Sequence, residues 1–153
     1  MHRFLFIIPL ILFTLSTLSA HEVKPYYHKV AAISGDNAYT FLKRYYLIDF
    51  ACNLDHFYKL NKLKRGVNLK SGKKYILPVV IYEYNGKSIK TSVGFSGWEP
   101  ASRIKKYNER LKRNQLRRSS LVKSRIIWVP YHELYCLDSA PNKKPDLLAD
   151  NTN

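Results

Sequence analysis

Apolar residues at Ala38, Phe41, Leu42 and Tyr45 recur every three or four positions, which predicts a helix with one buried stripe. A tight turn at Ser34, Gly35 and Asp36 precedes it, and Asn37 is placed as its N-cap. The run Val30 to Ile33 predicts a strand leading into that turn. A second stripe, Leu54, Phe57, Tyr58 and Leu60, predicts a helix that starts at Asn53 as cap, carries Asp55 in its first turn, and ends near Asn61 to Leu63. The loop "KRGVNLKSG" turns at Gly66 and Gly72. "KKYILP" then predicts a strand whose last residue is Pro78, which has no N–H for a ladder. Residues 30–79 therefore read strand, helix, helix, strand.

Farther along, "VIYEYNGKSIKTSVG" has β-favouring arms on either side of Asn85-Gly86, the pair preferred in a type I′ turn, and predicts a hairpin. Pro100 suits the first turn of a helix reaching about Asn114, with Ala101, Ile104, Tyr107 and Leu111 as its stripe. "RIIWVP" predicts a last strand ending at Pro130. Ile104 to Tyr131 thus repeats the outline of Phe57 to Val79: an apolar helical stripe, an Asn, a basic turn, and a strand closed by proline. The expected class is α+β: a strand-helix-helix-strand unit at 30–79, then an extension at 80–136 of hairpin, basic helix and strand, packed as one small domain. Residues 21–29 read as a lead-in, and 137–153, polar with two prolines, as a disordered tail or linker.

Residues 1–20 change the picture of where the chain works. One Arg at position 3, an apolar run from Phe4 to Phe13, and small or hydroxyl residues ending at Ala20 form a secretory signal peptide. The run is short of the roughly 18 apolar residues a membrane span needs, so no span is expected after cleavage. Cleavage removes Arg3 and no acid, leaving 25 Lys and Arg against 11 Asp and Glu. So basic a protein seeks anions. After export these are cell-wall polymers, lipid headgroups, extracellular nucleic acid or acidic proteins, and intracellular nucleic acid drops out as a partner. Cys52 and Cys136 are the two cysteines, an even count that in an exported chain favours a disulfide over free thiols.

Catalytic constellations are not evident. His28, His56 and His132 are scattered, and "HELYC" at 132–136 lacks the second His of a zinc helix. No G-x-S-x-G elbow or phosphate-binding Gly loop occurs, and nothing calls for a metal or cofactor. The stretch 103–125 holds ten Lys and Arg against one acid, Glu109. Arg103, Lys106, Arg110 and Arg113 fall off the apolar stripe as a cationic face. That face reads equally as a solubilising surface and as an attachment patch for an anionic polymer. Most of the twelve Tyr sit at stripe or strand positions, where packing explains them; Tyr39, beside the first turn, is kept as a candidate ligand contact.

"SGDNAYTFLKRYY" through "LDHFYKLNKLKRGVNLKSGKKYILPV" resembles a LysM module: a Gly-Asp turn, two helices, Leu-Asn at the second helix end, a Gly turn and a strand ending in an apolar-Pro pair. Gly35 and Asp36, Leu60 and Asn61, Gly72, and Leu77 and Pro78 carry the resemblance. It implies a strand-helix-helix-strand fold that binds N-acetylglucosamine-containing glycans in a shallow groove. Carried over, the groove is lined by Gly35, Asp36, Asn37 and Ala38 on one side and by Leu69, Lys70, Ser71 and Gly72 on the other, with the candidate contact Tyr39 beside the first. Asn37 departs from the usual Thr or Ser, Tyr46 stands where Gly is common, and "LIDFACN" lengthens the link between the helices.

The order of signal, LysM-like unit, basic helix and "WVPYHEL" strand with flanking cysteines is similar to the N-terminal region of exported N-acetylmuramoyl-L-alanine amidases of Bacteroidota-type bacteria. That implies a cell-envelope protein that binds peptidoglycan without catalysing a reaction itself. The alternatives are an amidase cut short of its zinc domain, and a domain that contacts another exported protein after losing glycan binding. Recognition is expected on the first copy of the repeated outline, because the second offers "RRSSLVKS" where Gly72 stands in the first.

Overall fold

A computed structural model describes residues 26–136; the expected signal peptide at 1–20, most of the expected lead-in at 21–29 and the segment from 137 to 153 lie outside the described residues. The chain runs β1 (Tyr26–Ala31), α1 (Ala38–Arg44), α2 (Ala51–Asn61), β2 (Lys74–Glu83), α3 (Ile89–Val93), α4 (Trp98–Arg113), α5 (Leu121–Ser124), β3 (Ile126–Pro130) and α6 (His132–Tyr135). The strands form one antiparallel sheet in the order β1-β2-β3, with the helices packed on it, so the class is α+β. No described helix is long and apolar enough to cross a membrane.

β2 is the centre of the molecule. Its first half closes the unit β1-α1-α2-β2, and its second half opens another, β2-α3-α4-β3, so two βααβ units share one strand. Their details correspond. Gly35 (φ 82°) and Gly86 (φ 84°) turn the chain in the left-handed region, where only glycine escapes a steric cost. Asn37 and Ser88 then cap α1 and α3 by accepting from the N–H three residues on, Thr40 at 3.0 Å and Thr91 at 3.1 Å. Each unit also has an asparagine on its longer helix that clamps the closing strand. The Asn61 amide donates to the carbonyls of Phe57 and Ile76, both at 2.9 Å, and accepts from Ile76 N–H at 2.7 Å. The Asn108 amide donates to Ile104 and Trp128 carbonyls, both at 2.8 Å, and accepts from Trp128 N–H at 3.0 Å. In each unit the clamped residue stands two before a proline, Pro78 or Pro130.

The core divides accordingly. Phe41, Leu42, Leu47, Phe57, Leu77 and Val79 fill the first unit, and Ile89, Ala101, Ile104, Ile127 and Val129 the second. Leu111 and Trp128 lean into the first cluster and join the two.

Four local expectations are corrected. β1 begins at Tyr26, so residues 26–29 of the lead-in belong to the strand. Asn53 does not cap α2, whose N-cap is Phe50 with no side-chain bond. Asn53 is fully buried instead, donating to the Leu47 carbonyl at 2.7 Å and accepting from His132 N–H at 3.1 Å. Pro78 does not end β2. It lies where the β1 register slips between Tyr27 and Lys29, before pairing with β3 starts at Val79, so neither neighbour demands an N–H from it.

The fourth correction concerns Asn85-Gly86, which makes no hairpin. A type I′ turn needs positive φ at both central residues, and only Gly86 has it. The Asn85 side chain accepts from Lys87 N–H at 2.9 Å and Ser88 N–H at 3.3 Å, and this Asx turn delivers the chain to the Ser88 cap. The β-favouring Ile89, Thr91 and Val93 are carried into α3 by capping.

Candidate functional site

The first unit brings its two loops edge to edge. The Asp36 carbonyl accepts from Leu69 N–H at 2.9 Å, and Asn37 and Asn68 form an antiparallel bridge. Gly72 N–H donates to the Ala32 carbonyl at 2.8 Å, and Lys70 N–H to the Tyr75 hydroxyl at 2.9 Å. Gly35, Asp36, Asn37, Ala38 and Tyr39 therefore do lie against the loop of Leu69, Lys70, Ser71 and Gly72, but the residues divide by task. Asp36, Ala38 and Leu69 are buried and hold the loops. The Asp36 carboxylate accepts from Ile33 N–H at 2.8 Å and is ion-paired with Arg44. What faces solvent is Gly35, Tyr39, Lys70, Ser71 and Gly72, with the apolar side chains of Ile33 and Val67. Tyr39 is 54 % exposed.

Tyr46 has φ 57°, the left-handed conformation for which glycine is usual, and its ring lies 3.5 Å under the Arg110 guanidinium. That contact offsets part of the roughly 1–2 kcal/mol that the conformation costs.

The cationic residues of α4 are not equivalent. Arg103 is engaged, its Nε donating to both Glu133 oxygens at 2.9 and 3.0 Å and its Nη1 to Glu99 at 2.9 Å. Burial raises the Glu133 pKa, but hydrogen bonds from His132 and Arg103 and the Arg103 charge outweigh it and hold the carboxyl below its ordinary range. Arg110 is stacked on Tyr46, Lys106 is exposed, and Arg113 lines a cavity. Arg117, one of the ten cations of the 103–125 stretch, is only 6 % exposed. Its guanidinium donates to the Ser119 carbonyl at 2.7 Å, to Ser124 Oγ at 2.6 Å, and to Asn108 and the Ile126 carbonyl. It ties the 115–125 loop to the second asparagine clamp.

The cavity, of about 790 Å³, opens where the second unit's loops correspond to the tied loops of the first. The 84–89 turn forms one wall, α4 the floor, and residues 120–122 the other wall. No backbone bond between 86–89 and 119–122 repeats the Asp36–Leu69 contact, because α5 takes up the chain there. Ile89, Ala101 and Leu121 give it an apolar floor. Trp98, 66 % exposed, and Val122, 65 % exposed, stand at the rim.

Away from the residues lining the cavity, a disulfide joins Cys52 to Cys136 across 84 residues. Around it His132 stacks on Phe50 at 3.7 Å, His56 stacks on Tyr131 at 3.6 Å, and the His56 Nε2 meets the Tyr27 hydroxyl at 3.1 Å. Burial, helped by the Lys59 charge, lowers the His56 pKa; burial and then Arg117 lower that of His28, which packs on Trp128 at 4.0 Å. A histidine with a lowered folded pKa supports the native state only while neutral. Its contribution is full above the ordinary value of about 6.5 and declines as pH falls through the folded pKa. Glu133, also lowered, contributes above about 4.3 and loses that as pH falls further. Thermal unfolding at pH 5.5 is therefore expected at lower temperature than at pH 7.5. His56→Gln, measured by circular dichroism at both values, should show a smaller difference between them.

Among the described residues no group of three or more His, Cys, Asp or Glu is placed to hold a metal ion. No family model, curated protein or solved structure matches this chain.

Proposed function

We propose that the chain is exported to the cell envelope and acts there as a non-catalytic peptidoglycan-binding module, of the LysM-like kind that accompanies N-acetylmuramoyl-L-alanine amidases. The observation that carries this is the first loop pair, tied by the Asp36–Leu69 backbone bond and presenting exposed Tyr39 and Ile33 beside Gly72. Such a surface offers an aromatic face for a sugar ring and turn peptide groups for acetamido groups, with no need of charged ligands. The excess of cations supports the same reading by attracting the carboxylates of the polymer.

The test is retention of the mature chain on purified peptidoglycan, with titration by a soluble N-acetylglucosamine tetramer. Tyr39→Ala is expected to weaken tetramer binding about tenfold, or about 1.4 kcal/mol. Because Tyr39 is exposed on a short capped helix, the variant folds normally. Absence of retention at low salt, or full affinity in Tyr39→Ala, overturns the assignment.

A further inference from the structure

The second unit's cavity differs in chemistry from the first unit's loop pair. Lys87 stands on its turn wall, and Lys105, Lys112 and Arg113 on α4, around the apolar floor of Ile89, Ala101 and Leu121. Glu109 is the one acid among the lining residues, and it already faces Lys105 at 3.9 Å. The Ser102 hydroxyl adds a hydrogen-bonding group to the lining, whereas those of Ser88 and Ser120 already accept from the Thr91 and Lys123 N–H groups as helix caps. Trp98 is the exposed aromatic ring, but the Lys90 ammonium sits 5.1 Å over it, so one face is already taken by a cation. A neutral sugar would find that face occupied. A carboxylate approaching the same edge would meet an ammonium.

We propose that this cavity is a separate site for a short peptide with small apolar side chains and free carboxylates. At about 790 Å³ it falls in the size range of ligand pockets, larger than a lone inorganic anion needs. The apolar floor takes methyl-sized side chains, and the separated ammonium and guanidinium groups take carboxylates at more than one point along the ligand. The peptide stems of peptidoglycan have this chemistry; that choice of source rests on the function proposed above, whereas the acidic-peptide specificity rests on the cavity alone. One protein would then hold the glycan with one unit and the peptide with the other.

The experiment is calorimetric titration of the mature chain with N-acetyl-Ala-Glu-Ala-Ala bearing a free C-terminus, with its Gln-containing amidated counterpart, and with the N-acetylglucosamine tetramer. The acidic peptide is expected to bind at least tenfold more tightly than the neutral one. That preference should fall about tenfold in Lys112→Glu/Arg113→Glu and in Trp98→Ala, all exposed positions. It should persist in Tyr39→Ala and in Lys29→Glu/Lys64→Glu, whose charge reversals lie away from the cavity. Equal binding of the two peptides, binding of neither, or equal loss in both charge-reversed pairs overturns the site. Loss of tetramer binding in Trp98→Ala would make the cavity a glycan groove and overturn it too. Tetramer binding without acidic-peptide binding leaves the glycan function standing alone; acidic-peptide binding without tetramer binding leaves this site standing alone.

Discussion

Asn108→Ala is expected to cost about 3–4 kcal/mol, a large loss for the truncation of one polar side chain. The side chain is 2 % exposed and makes three hydrogen bonds of 2.8–3.0 Å to backbone groups of Ile104 and Trp128. Removing it leaves the Trp128 N–H and carbonyl without their partner inside the protein. It also strips an acceptor from the buried Arg117 guanidinium, and a charged donor left unmatched is costlier than a neutral one. At about 4 °C per kcal/mol for a domain of this size, the unfolding midpoint should drop by about 12 °C or more. Asn61→Ala makes the internal comparison. It breaks the same three bonds, but they are only part-buried and involve no guanidinium, so a loss of about 2 kcal/mol is expected. If calorimetry gave equal losses, the extra role assigned to Arg117 would be wrong.

Replacing both cysteines with serine is expected to cost about 4–5 kcal/mol in the chain-entropy account, because the Cys52–Cys136 link closes a loop of 84 residues. The native contacts around it should outlast the link. The stacks of His132 on Phe50 and His56 on Tyr131, and the bonds of Asn53 to His132, do not involve sulfur. The expected outcome is therefore a lower unfolding temperature in both the double variant and the reduced wild type, with near-native aromatic circular dichroism before melting. Unchanged melting on reduction would show that these contacts already restrain the end of the chain in the unfolded ensemble.

Much of this organisation is legible in the sequence because local rules point the same way as the fold. The α1 stripe at Ala38, Phe41 and Leu42, the Asn37 cap and the Gly35 turn each state one preference that tertiary packing does not oppose. The repeated outline of Phe57–Val79 and Ile104–Tyr131 reflects a real correspondence, carried by an asparagine and a strand residue two before a proline. Two of the misreadings arise where a residue's partner is distant in sequence. Asn53 looks like a cap until His132, 79 residues away, supplies the groups that bury it. Pro78 looks like a strand end because the slipped register opposite is a property of β1. Asn85-Gly86 looks like a hairpin because the competing signal, Ser88 with Thr91, is an equally local motif of helix starts. Arg117 is indistinguishable from its exposed neighbours in a basic run, and the cavity depends on the spacing of two loops, which no periodicity encodes.

Because β2 belongs to both units, neither has a stability of its own. Opening the first would strip one edge of Lys74 to Ile81, and opening the second the edge from Val79 to Glu83, so loosening either exposes residues the other uses. The chain is in that sense a single foldon with two faces, and the amides of β2 should exchange with solvent only through global unfolding. A pair of sites joined by a strand that neither unit can release would keep a fixed separation, so two ligands on one polymer would be held in register by the sheet.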